Sequence, residues 1–118
     1  MREFRKVMIN GSEYPIRCNI RVLSEIQELY GSLNQFELDI KGGEERESED
    51  GRKYLVRTRD ASMDAISRVL PLMVNEGCLL TGKEMLNSNE IIDGLETNAY
   101  IVAALMEAEF MECFKRKK

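Results

Sequence analysis

The chain has 118 residues, of which 21 are acidic and 17 basic; it has three cysteines and no histidine. That length fits one domain, 1–118, able to bury about two-thirds of the surface its unfolded chain exposes. The net charge of −4 speaks against a general nucleic-acid binder, which carries a basic excess, and the lack of histidine removes the usual zinc ligands and thiol bases.

The opening Val7-Met8-Ile9-Asn10-Gly11-Ser12-Glu13-Tyr14-Pro15-Ile16 predicts a β-hairpin, because Asn-Gly supplies the positive φ angles of a two-residue turn between apolar runs. The charged start Met1 to Lys6 leads into a strand and not into an apolar signal core, and no apolar run approaches the roughly 20 residues that cross a bilayer. A cytoplasmic protein without a membrane partner is expected. Asn19 then reads as the N-cap of a helix carrying Val22, Ile26, Leu29 and Leu33, interrupted at Gly31. Ser32 and Gln35 form a capping-box pair opening a short second helix with Phe36 and Ile40, which stops by Gly42-Gly43.

Glu44 to Gly51 has no apolar residue and a strong acidic excess, so burial cannot offset its ordering entropy. The segment 41–53 is read as a mobile acidic loop. Tyr54 to Arg57 fits either a short strand or the approach to the next helix. Met63, Ile66, Leu70 and Met73 mark a helix from about Ser62 to Asn75, with Gly77 ending it and Pro71 expected to kink or split it. Thr81 and Glu84 form a second capping-box pair opening a short helix with Met85 and Leu86, and Ser88 or Asn89 caps another turn through Ile92.

The last helix, from about Leu95 to Lys115, carries a core stripe of Leu95, Ala99, Val102, Ala103, Met106, Phe110, Cys113 and Phe114. Tyr100, Ile101, Ala104, Leu105, Ala108 and Met111 lie outside that stripe, so Ala99 to Met106 is apolar around its circumference. Either other helices of the same chain cover this second face, or a partner does. Tyr100, Ile101, Ala104, Leu105 and Met111 are the candidate partner-binding residues. Met63, Met73, Met85, Met106 and Met111 suit either core gaps or an adaptable surface. The fold class is therefore α+β and mostly helical: an N-terminal hairpin, four to five helices and a long C-terminal helix.

Cys18, Cys78 and Cys113 have no paired spacing and read as small core residues. The chain holds no glycine-rich phosphate loop and no nucleophile elbow, and Glu107, Glu109 and Glu112 do not share one helix face. A non-enzyme without cofactor or metal is expected. Lys115-Arg116-Lys117-Lys118 complements a helix C-terminus and is a poor nucleic-acid footprint on an acidic chain.

The order of Ile9-Asn10-Gly11, Tyr14-Pro15-Ile16, a helix ending Glu28, Tyr30-Gly31-Ser32-Leu33, then Met63-Asp64-Ala65-Ile66, Asn75-Glu76-Gly77 and Thr81 with Glu84 resembles the tail assembly chaperones of long-tailed bacteriophages and prophages of Gram-positive bacteria. The resemblance runs over most of the chain, with the acidic segment 41–51 and Pro71 as departures. It implies a protein that coats the helical tape-measure protein and keeps it soluble until tail-tube subunits assemble around it. Such a protein works in the bacterial cytoplasm and is absent from the mature virion. It also implies a longer frameshifted product, for which the codons of the lysine-rich tail would be the slippery run. Self-association into a ring, as a structural tail or neck subunit, and a small regulatory or DNA-associated module are the alternatives.

Overall fold

The computed structural model describes residues 3–114, so the tail Lys115–Lys118 lies outside the described residues. Strands β1 (Arg5–Ile9) and β2 (Ser12–Ile16) pair antiparallel, with Ile9 opposite Ser12. Asn10 and Gly11 adopt φ of 47° and 79°, the pair of left-handed residues that this turn needs. Both outer edges of the hairpin are occupied. Along β1, Asn10 N–H donates to the Gly94 carbonyl at 2.9 Å and Glu96 N–H to the Met8 carbonyl at 2.8 Å. Along β2 lies a helix, onto whose Met73 carbonyl Arg17 N–H donates at 3.0 Å. Pro15, without an N–H to leave unpaired, suits this covered edge.

Helix α1 (Ile20–Tyr30) is capped by the Asn19 side chain, and α2 (Leu33–Lys41) by Ser32, which accepts from Gln35 N–H at 3.1 Å. The Gln35 side chain donates to Asp39 at 3.0 Å, so half of the expected box forms. Leu29, placed on the apolar stripe of α1 by periodicity, is exposed.

The expected acidic loop is instead a second hairpin, β3 (Gly43–Glu47) with β4 (Lys53–Arg57), so Tyr54 to Arg57 is a strand. Composition misleads here because the acids of β3 are paired across the ladder with a strand that is apolar and basic: Glu44 opposes Val56, Glu45 opposes Leu55 and Glu47 opposes Lys53, which also reaches Glu45 at 4.0 Å. Ser48 N–H donates to the Arg52 carbonyl at 2.8 Å and closes the turn.

Helix α3 (Met63–Thr81) is one helix of 19 residues, running through Pro71 and Gly77. Neither the split at Pro71 nor the stop at Gly77 occurs. A proline inside a helix costs about 3 kcal/mol, but Val69, Leu70, Met73 and Val74 flank it and are wholly buried, each contributing about 1.5–3 kcal/mol. Gly77 is where the backbone of β2 lies on the helix: a Cβ there would stand 2.6 Å from the Pro15 carbonyl carbon. Met63, at the helix start, is exposed.

Thr81 ends α3 and opens no helix; its hydroxyl donates back to the Gly77 carbonyl at 2.8 Å. The next helix, α4 (Ser88–Gly94), is capped by Asn87 and not by Ser88 or Asn89, with Glu90 completing a reciprocal capping box. Leu95 leaves the helix and bridges to Ile9 of β1. Helix α5 therefore starts later than expected, at Ala99, and runs to Glu112, with Asn98 as N-cap. Its Val102, Ala103, Met106 and Phe110 enter a core shared with β1, β2 and α1 to α4, while Phe114 is exposed and Cys113 half-buried. Among the described residues no helix is long and apolar enough to cross a membrane.

Candidate partner-binding surface

The inner face of α5 is fixed by aromatic and ionic contacts. Phe110 meets Phe36 of α2 edge-on at 5.1 Å, and Phe36 meets Tyr30 at 5.8 Å, which ties α5 to the end of α1 and the middle of α2. Beside Phe110 lies Glu109, which is wholly buried. Its carboxylate accepts from the Arg5 guanidinium at 2.6 Å and from the Cys18 backbone N–H at 3.2 Å, and pairs with Arg17 Nε at 3.3 Å. Arg17 in turn lies over the Phe4 ring at 4.0 Å. In sequence Glu109 stood out only as one of three acids, with Glu107 and Glu112, that do not share one helix face. The signal it carries is helical phase, since an acid next to Phe110 and three positions after Met106 stands on the core side.

That anchoring leaves the opposite face of α5 turned outward. Tyr100 is 62% exposed, Ile101 55% and Met111 37%, and Ala104 is exposed as well. Leu105 differs: it is half-buried and packs against the core from the margin of the face. The candidate residues therefore share one side of one helix, with Leu105 at its border. Tyr100 is held at one end by its hydroxyl, which stands 3.3 Å from an Asp60 carboxylate oxygen. A cavity of about 110 Å³ separates Tyr100, Ala104 and Glu107 from Lys41 and Arg57, so the face runs up to the base of the second hairpin. On that hairpin Tyr54 and Leu55 are also exposed.

Of the methionines expected to favour either core or surface, Met73 and Met106 fill the core while Met63, Met85 and Met111 are exposed. A second apolar depression, of about 370 Å³, lies between α1 and α3, with Leu72, Leu79 and Met85 on its wall. Its rim is ionic: Glu76 accepts from Arg21 at 2.5 Å and from the Asn19 side chain at 2.6 Å. The Arg21 guanidinium holds the Glu76 carboxyl below the usual glutamate range, against the opposing effect of burial. Another depression, of about 710 Å³, is open and places Lys6 and Lys83 beside Glu13 and Phe4.

No group of histidine, cysteine or acidic side chains among the described residues could hold a metal ion. Cys18 and Cys78 are buried and Cys113 half-buried. Burial pushes the Cys18 thiol well above its ordinary range, with Cys113 adding to the rise. Burial also raises Cys78, against the pull of Lys83. Neither is an activated nucleophile.

Comparison with protein-family models, with curated proteins and with solved structures gives no match to this chain.

Proposed function

We propose that the chain is a tail assembly chaperone of a long-tailed phage or prophage, which binds the helical tape-measure protein and keeps it soluble until tail-tube subunits assemble. The observation that carries this reading is the two-sided character of α5. Its Val102, Met106 and Phe110 complete the core, while Tyr100, Ile101, Ala104 and Met111 offer a second apolar face to the solvent. An exposed apolar helix face is a costly feature in a small domain and suits capture of another helix. The resemblance of the sequence from Ile9-Asn10-Gly11 to Leu33 to that chaperone family points to the same reading. Binding of this kind asks for no catalysis and no cofactor, and it places the protein in the bacterial cytoplasm and outside the finished particle.

Co-expression with the long helical protein encoded downstream tests the proposal. The expected result is that this protein becomes soluble and co-purifies, and that the chain is missing from purified particles. If the long protein stays insoluble while the chain assembles into a stable ring of its own, the chain is a structural subunit and the chaperone reading fails.

A further inference from the structure

Two residues of the α5 end, one helical turn apart, converge on a single position at the junction of β2 and α1. Glu109 accepts from the Cys18 backbone N–H at 3.2 Å, and the Cys113 thiol donates to the Cys18 carbonyl at 2.9 Å. Both backbone groups of Cys18 are thereby engaged from the same helix, which fixes residue 18 against its last turn. The two thiols also lie within hydrogen-bonding reach of one another. Cysteines 95 positions apart in the chain thus stand sulfur beside sulfur, an arrangement from which a disulfide closes by small changes of side-chain torsion. Their surroundings differ in one respect that sets the order of events. Cys18 is 5% exposed, whereas Cys113 is half-buried and caps the C-terminus of α5. Burial holds the Cys18 thiol protonated, so the sulfur open to a dissolved oxidant is that of Cys113. Cys78 belongs to α3, with Lys83 as the charged group beside it.

We infer that Cys18 and Cys113 form a redox latch: two thiols in the reduced protein that hydrogen peroxide joins into a disulfide, fastening the end of α5 to the junction of β2 and α1. The Cys113 sulfur attacks one oxygen of the peroxide; an S–O bond forms, the O–O bond breaks, and the departing hydroxide leaves as water with the Cys113 proton. The Cys18 sulfur then attacks the Cys113 sulfur of the resulting sulfenic acid. The S–S bond forms, the S–O bond breaks, and hydroxide departs as a second water with the Cys18 proton. In sum the two thiols lose two electrons and two protons, and the peroxide is reduced to two waters. A reducing cytoplasm keeps the pair open, and a small dithiol reverses the bond by exchange. The closed bond spans a loop of nearly the whole fold, and a loop of that length takes much freedom from the unfolded chain. The latch acts at the C-terminal end of α5 and leaves Tyr100 and Ile101, at the other end, as exposed as before. It stands apart from the partner reading of that helix.

The full chain, purified in reductant and then freed of it, is exposed to a slight excess of hydrogen peroxide. Remaining thiols are alkylated in denaturant, and the chain is digested and read by mass spectrometry without reduction. The expected product is a linked pair of peptides holding Cys18 and Cys113, two hydrogen atoms lighter than its parts and separated by dithiothreitol, with Cys78 recovered alkylated. The linked monomer should melt about 10 °C above the reduced one, and dithiothreitol should cancel the rise. Cys78→Ser should keep both results, and Cys113→Ser should lose both. Recovery of Cys18 as a thiol, while Cys113 is untouched, carried to the sulfinic acid or joined to a second chain, overturns the inference on the parent protein alone, whether or not any variant folds. So does a linkage through Cys78, or a linked monomer that melts no higher than the reduced one.

Discussion

Arg5 and Glu109 lie 104 positions apart in the chain and meet at 2.6 Å, so the first strand is pinned to the last helix by a charge pair whose carboxylate has no access to water. Removing one partner of a buried pair leaves the others without compensation and costs about 3–5 kcal/mol. Both arginines reach solvent in part, so Glu109→Gln should cost about 3 kcal/mol, toward the lower end of that range. Urea denaturation of the variant against the parent checks it. A loss below about 0.5 kcal/mol, the level of an ordinary surface change, would mean that Glu109 is not the anchor described here.

Gly77 reverses an ordinary rule. Exchanging glycine for alanine inside a helix normally adds up to about 1 kcal/mol of stability. Here the new methyl group would meet the backbone of Pro15 and Ile16, and backbone cannot rotate aside. Gly77→Ala should therefore lower stability by about 1–3 kcal/mol, read as a drop in Tm of several degrees. A rise in Tm would show that β2 does not lie on α3 as described.

The border of the partner face can be located by charge. Ile101→Asp replaces an exposed residue and should change stability by no more than about 0.5 kcal/mol. Leu105→Asp puts a carboxylate where Leu105 packs against the core, at a cost of about 2 kcal/mol. Thermal melts of the two variants separate the cases. Equal loss in both would make the whole face core and remove it as a docking surface.

Glu76 gives the fold a pH dependence of defined sign. Its pKa is lowered in the folded state, mainly by the Arg21 guanidinium, so it contributes stability above the unfolded value of about 4.3. That contribution disappears as pH falls through the lower folded value. Between about pH 5 and pH 2 the parent should lose more stability than Glu76→Gln, which has no carboxyl to protonate. Parallel acid titrations of stability that stay a constant distance apart would count against the Arg21 pairing.

The legible parts of the fold were those written in local chemistry. Asn10-Gly11 between apolar runs, Asn19 before Ile20 and Ser32 before Leu33 each act within a few residues, and each stands where periodicity and capping placed it. Pro71 and Gly77 misled for the opposite reason. Their local meaning is to break a helix, and it is outweighed by β2 and by a buried surround brought in from distant positions. The second hairpin was hidden by reading the acidic run by itself, when its partner strand, Lys53 to Arg57, lies in register across from it. For the candidate face, the surplus of apolar residues on α5 was visible in the sequence. That Leu105 belongs to its margin, and that Glu109 anchors the inner side, depends on how far the helix is rotated about its axis, which the contacts to Phe36 and Arg5 decide.

The N-terminal hairpin comes before every helix in chain order and is completed only by residues far along the chain. Its β1 edge waits for Gly94 to Thr97, its β2 edge for Met73, and its Arg5 for Glu109. Residues up to Glu109 must therefore be made before these two strands can leave the population of transient hairpins, which two strands alone scarcely stabilise. A nascent chain arrested ahead of α5 should accordingly remain open to proteases from β1 onward, so that the domain forms in one event once α5 is made and not in stages along the way.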